Sequence, residues 1–359
     1  MNVAPRSRSV TSAALTRMQS LMQISSRQIL AAVLTGGLTL STAFALAAVS
    51  GYLITKAWTM PPVLDLSVAV VSVRALGISR GVFRYLERLF THDAALTGVA
   101  RLRTNIYAGL TSAPDALVSR VKKGDLLGRI GDDAEDLAND VIRAVVPVLV
   151  ALVMAVVVVA TIAPFSPVAA IFMVLGLAIA SGVAPALAYR AALVTERDLV
   201  QARSHVTTLT MHAVDNADHL VVSGKFNAAI DDLARAQAEY DRALDRAAIP
   251  SALARACLHI AMIPALLGSV LAAGAVYATP GSGIVAGFMG HTPGIIGVLI
   301  LLPLSSFEAA SVLPQAATQR ARTLVAAERL AEFDPGTPPV AQALEDGKSS
   351  AVRDAPVSY

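Results

Sequence analysis

Cysteine is almost absent from this chain. Cys257 is the single one among 359 residues, which excludes an internal disulfide, a CxxC redox pair and a thiolate-rich metal site. Charge is scarce too. Asp, Glu, Lys and Arg make up 15% of the sequence, against about 25% in an average soluble domain, too little to clothe a soluble fold of this size. Aromatic residues reach only 5%, and no basic run is dense enough to follow a phosphate backbone, so no nucleic-acid partner is expected despite a formal charge of +3. No GxxxxGK[ST] phosphate loop is present: Ser223-Gly224-Lys225-Phe226 lacks both the upstream glycine and the following hydroxyl. There is no GxSxG nucleophile elbow either, and nothing favours an enzyme active site in these residues.

What the chain has is apolar sequence. Apolar residues make up 55% of it, and the mean hydropathy is +0.61, a membrane composition. A spanning helix needs about 20 mostly apolar residues, and six windows reach that length, near 28–55, 62–90, 141–163, 168–190, 251–277 and 294–315. Arg6, Arg8, Arg17 and Arg27 precede the first window. That window is too long for a signal-peptide core and shows no clear cleavage site, so it reads as a spanning helix. Pro61-Pro62, Pro164 with Pro167, and Pro280 with Pro293 mark three short connections, giving three hairpins. Those connections contain Lys56 as their single basic residue. The positive-inside rule therefore places both termini and the long polar stretches, 91–140 and 190–250, in the cytoplasm of a multi-pass protein of the cell membrane. Both stretches are rich in helix formers, so helices two to five are expected to project well beyond the bilayer.

Each polar stretch is broken once, at Ser112 to Asp125 and at Asp215 to Gly224. Proline just inside a short helix and glycine after it are start and stop signals, so each break fits a short helix at the tip of a hairpin. The tail from Asp334, with Pro335, Pro338 and Pro339, reads as disordered linker. The expected organisation is an N-terminal segment with an elbow helix (1–27), a six-helix domain (28–333) and that tail (334–359).

The second window carries unusual charge. With Arg74 set at zero and about 100° per residue, Arg84, Arg88 and His92 fall within about 80° of it, and Arg80 and Glu87 widen the stripe. Arg74 lies about 18 Å along the helix from Pro62, close to mid-bilayer, where an arginine costs at least about 2.5–3.5 kcal/mol on insertion scales. It must face a bundle interior or a watery cavity. Guanidinium forks match carboxylates, so one reading is a pathway for an anionic substrate. The other is a set of buried ion pairs with Glu87, Glu308 or a second subunit. Glu308, between Pro303 and Pro314, is expected chiefly as a counter-ion to an arginine of helix two. His205, His212, His219, His259 and His291 have no compact metal-binding spacing.

These residues also resemble a known family. Six helices with long polar extensions and two tip helices are similar to the type-1 ABC exporter transmembrane domain. The stretch Val73 to Asp93, ending Arg84-Tyr85-Leu86-Glu87-Arg88-Leu89-Phe90-Thr91-His92-Asp93, resembles the arginine-rich RYxERLxSHD segment of the CydC family, with Thr91 where that pattern has serine. Lys123-Gly124-Asp125-Leu126-Leu127-Gly128-Arg129-Ile130 with Asp132-Asp133 looks like the GDLL segment shared across many ABC exporters. Phe307-Glu308-Ala309, Leu313-Pro314 and Arg322-Thr323-Leu324 resemble that family's sixth helix.

The resemblance implies a subunit that pairs with a CydD-like half-transporter in the bilayer and exports a thiol, cysteine or glutathione, or moves haem, in support of cytochrome bd assembly. ATP with magnesium would be bound by a separate nucleotide-binding domain in the partner assembly. It implies haem binding by His92, with Arg88 near a propionate. It further implies that the tips, Pro114, Asp115, Ala116, Leu117 and Val118 in one and Asp218, His219 and Leu220 in the other, act as coupling helices. Without a phosphate loop in the chain, a non-transporting remnant or a regulatory membrane partner is the rival reading. A haem-bearing oxidoreductase subunit is a further one.

Overall fold

A computed structural model describes residues 8–111, 123–278 and 293–331. The first tip segment, with Pro114 to Val118, and the tail from Asp334 lie outside the described residues. Every regular element within them is a helix: α1 (Arg8–Met22), α2 (Ser26–Trp58), α3 (Val63–Thr111), α4 (Lys123–Asp140), α5 (Val146–Ile162), α6 (Pro167–Ala178), α7 (Ala184–Asp215), α8 (Ala217–Val222), α9 (Phe226–Ala278), α10 (Pro293–Ser306) and α11 (Leu313–Ala331). Among the described residues six helices are long and apolar enough to cross a membrane: Ser26–Trp58, Val63–Gly109, Gly131–Ile162, Pro167–Ala192, Ala252–Ala275 and Gly294–Ala331. The all-α membrane fold expected from the sequence is the one observed.

Local chemistry starts these helices. Ser25 and Gln28 form a reciprocal capping box before α2: Gln28 N donates to Ser25 Oγ at 3.3 Å, and Ser25 N to Gln28 Oε1 at 3.2 Å. Ser166 caps α6 by accepting from Ala169 N at 3.3 Å, with Pro167 in the first turn. The valine-rich α5 would be a strand candidate in water. In a bilayer a spanning backbone must satisfy its own polar groups, and the helix wins. Its buried residues, Val146, Val150, Met154, Val158 and Ile162, recur every fourth position, one seam of a packed helix.

Two π-turns, Val141–Val145 and Ile179–Val183, interrupt otherwise regular helices. Each ends two residues before a proline, Pro147 or Pro185. Proline lacks the amide donor and crowds the carbonyl four residues back, and a widened turn relieves that clash. The sixth span opens in the same way: turns and a short 3-10 segment (Ala310–Val312) separate α10 from α11, just before Pro314.

The chain divides into two compact units, one comprising residues 1–28, 92–141 and 323–359 and the other 29–91 and 142–322. In the first, Met18, Met22, Leu102, Ile106, Leu137 and Leu330 are almost fully buried. Arg329 clasps the buried Asp133 with Nη2 at 2.5 Å and Nε at 3.1 Å, and Thr323 Oγ1 donates to Asp136 O at 3.1 Å. Gln23 takes a positive φ of 48° where α1 turns into α2, and Arg101 and Asn105 donate to the carbonyls of Gln23 and Leu21 at 2.6 and 2.8 Å. In the second unit α9 packs along α6, α7 and α10. Small residues let backbones meet there. A Cβ on Gly51 of α2 would lie 2.5 Å from Gly297 O of α10, and one on Gly176 of α6 would lie 2.6 Å from Ala261 O of α9.

Candidate functional site

The site is built on α3, whose spanning window is only 6% buried against 33–50% for the other five. Its chain neighbours cover one edge of it. On that edge Glu87 faces α2, with Cγ 3.3 Å from where a Gly36 Cβ would sit. The buried Thr91 donates from Oγ1 to Glu87 O at 2.7 Å, so the hydroxyl of this motif position closes on its own helix. Asp93 accepts a long hydrogen bond from Gln28 Nε2 at 3.4 Å.

Arg80 turns toward the sixth span. Its Nη2 lies 2.5 Å from Glu308 Oε1, with the two side chains 37% and 33% exposed. Glu308 sits in the turn where α10 stops, so the opened helix presents its carboxylate to α3. The structure thus brings together two of the sequence-predicted residues, carried by elements 228 positions apart.

Arg74, Arg84, Arg88 and His92 are exposed. None has a hydrogen-bonded or ionic partner among the described residues. Three guanidinium groups of a spanning helix therefore point away from the chain's own packing, and they can receive carboxylates from outside it. Helix geometry places His92 one turn beyond Arg88. An exposed imidazole and an exposed arginine thus follow one another at one-turn spacing along α3. Among the described residues no group of three or more His, Cys, Asp or Glu side chains is placed to hold a metal ion.

At the second tip, α8 is a six-residue helix with Asp218 and His219 exposed and Leu220 buried. Gly224 follows at a φ of 69°, and Lys225 N donates to Leu220 O at 2.9 Å, a glycine-terminated stop. The Arg329–Asp133 pair has no counterpart in the sequence reading. Its signal was present, since Asp133 follows the GDLL segment and Arg329 lies five residues after the Arg322-Thr323-Leu324 stretch, but nothing in spacing alone joins two segments 196 positions apart.

No family model matches the chain. It is 32% identical over 197 residues to the glutathione/L-cysteine transport system ATP-binding/permease protein CydD of Bacillus subtilis, a match covering 55% of this chain and 34% of that protein. Against the CydC proteins of the same description it is 25% identical over 297 residues in Escherichia coli, covering 80% of this chain and 49% of that protein. In Haemophilus influenzae it is 33% identical over 81 residues, covering 23% and 14%. The chain thus spans half or less of the length of these relatives. Its homologues are CydC and CydD ABC transporter subunits, and its six apolar helices have the make-up of such a subunit's transmembrane domain.

Proposed function

We propose that the chain is the transmembrane subunit of a heterodimeric CydDC-type ABC transporter. It pairs with a CydD-like half and moves cysteine, glutathione or haem across the cytoplasmic membrane in support of cytochrome bd assembly. ATP is hydrolysed on a nucleotide-binding domain outside these 359 residues. The observation that carries this reading is the α3 face: Arg74, Arg84 and Arg88 are exposed at a helix the chain itself leaves uncovered. Intramembrane arginines need an aqueous or protein-lined setting, and both thiol peptides and haem bear carboxylates that match them. The Arg80–Glu308 pair links this face to the broken sixth span. In this reading the pair carries rigid-body closure at the tips to the pathway. Haem, when bound, would supply an iron centre held by His92, with Arg88 on a propionate. The residues' own part is to ligate, neutralise and orient it.

The test is uptake of labelled glutathione and of labelled cysteine into inside-out vesicles carrying the chain with its co-expressed neighbours, alongside haem titration followed by absorbance. ATP-dependent uptake of a thiol that falls in Arg74→Ala supports thiol transport. A Soret shift lost in His92→Ala supports haem binding. Neither signal, in vesicles where the complex is present, favours the regulatory or remnant reading.

A further inference from the structure

The short connection between α2 and α3 is apolar where a turn in water would be polar. Trp58, Met60, Val63 and Leu64 are 83–91% exposed, and Trp58 is the chain's single tryptophan. The patch does not stop at the turn. Exposed Ile54 and Val68 carry it one turn along each of the two spanning helices. Met60 reverses the chain at a φ of 50°, a left-handed position that glycine fills most easily, and yet a large apolar side chain stands there. The turn also asks little of water. Pro61 and Pro62 have no amide hydrogen, while Thr59 N, Met60 N and Asp65 N donate to Lys56 O, Ala57 O and Pro62 O at 3.0–3.1 Å. Thr59 Oγ1 donates to Lys56 O at 2.7 Å. A backbone satisfied from within can enter the boundary between headgroups and acyl chains. Its depth agrees. From Val63 to Thr91, where the polar stretch begins, α3 rises about 42 Å, close to the ~40–45 Å of a bilayer with its headgroups. The connection therefore stands at the headgroups of the leaflet opposite the polar extensions, with Lys56 in the last turn of α2 beside it.

We propose that this connection is an interfacial anchor. Trp58, Met60 and Leu64 sink into the headgroup–acyl boundary of that leaflet, and Thr59 and Asp65 stay in water. Bilayer lipid is the occupant because the patch continues the exposed apolar faces of two spanning helices and carries the amphipathic indole that favours this level. The anchor has a task. The spanning window of α3 is only 6% buried, and interfacial residues of this kind help to set the depth and tilt of a loosely packed span. It thereby holds Arg74 at its level in the membrane. Nothing in this depends on what the protein transports.

The chain, purified with its natural neighbours, would be placed in lipid nanodiscs, and the fluorescence of Trp58 taken as the difference from the same assembly carrying Trp58→Phe. Emission should lie to the blue of tryptophan in water. Phospholipid brominated near the top of its acyl chains should quench it more strongly than phospholipid brominated near the chain ends. Met60→Ser combined with Leu64→Ser, both at exposed positions, should shift the emission to the red and remove most of the quenching. Emission and iodide quenching like those of tryptophan in water would overturn the proposal. So would a blue-shifted emission that no brominated lipid quenches, since protein would then cover the turn, and so would quenching unchanged in a serine variant that still assembles.

Discussion

Arg80 and the other arginines of α3 have different jobs. Arg80 is tied to Glu308, so removing either partner strands a partly buried charge. Arg80→Ala and Glu308→Ala should each lower stability by about 1.5–3 kcal/mol, the range for hydrogen bonds to charged groups. The double variant should lose less than the sum, and thermal unfolding in detergent measures that coupling. Arg74 and Arg84 are exposed and make no such contact among the described residues. Their alanine variants should stay within about 0.5 kcal/mol of the parent and yet lose ligand-stimulated turnover. Loss of stability in step with activity would assign them a structural role. The stripe itself was legible in the sequence because helical periodicity fixes angles. Which arginine takes Glu308 was not, since that depends on how the sixth span is rotated and broken. Glu87 shows the same limit: it is near Arg80 and Arg84 in sequence, yet its side chain faces Gly36.

Among the elements, the six spans follow from hydropathy and from the prolines between them, and the start of α2 follows from Ser25 and Gln28. The sixth span runs on to Ala331, past the expected end near 315, because its polar continuation keeps a helical pattern on which Thr323 and Arg329 find partners. The fifth extends from Phe226 through Pro250 without a break. The π-turns were not legible, although the prolines that cause them were; a proline signals a disturbed turn without saying whether the helix kinks, stops or widens. Glycine contacts were equally hidden, since closeness of backbones is a property of two helices together. Gly51 and Gly297 make that case most sharply. Gly51→Val, placing Cβ against Gly297 O, should destabilise by about 1–3 kcal/mol through overpacking, read as a lower melting temperature. Gly77→Ala on the open face of α3, with nothing within 4 Å of its Cβ, should instead raise the melting temperature slightly, since alanine in a helix interior is worth about 0.5–1 kcal/mol over glycine.

At the scale of the whole molecule, the basic residues gather in the long polar stretches and leave the short connections nearly bare, so the positive-inside reading predicts a definite orientation. With Cys257 replaced by serine, Thr59→Cys should react with an impermeant thiol reagent in intact cells, and Glu239→Cys only after the membrane is opened. The reverse pattern would invert the topology. If the α3 face serves an ATP-driven pathway, this shows in the ATPase rate of the chain purified with its co-expressed neighbours, measured with and without glutathione, cysteine and haem. Stimulation by one of these ligands is expected, abolished in Arg74→Ala for a thiol or in His92→Ala for haem, in variants that keep their subunits and melting temperature. An assembly with no ATPase, or stimulation that both variants leave intact, would contradict it.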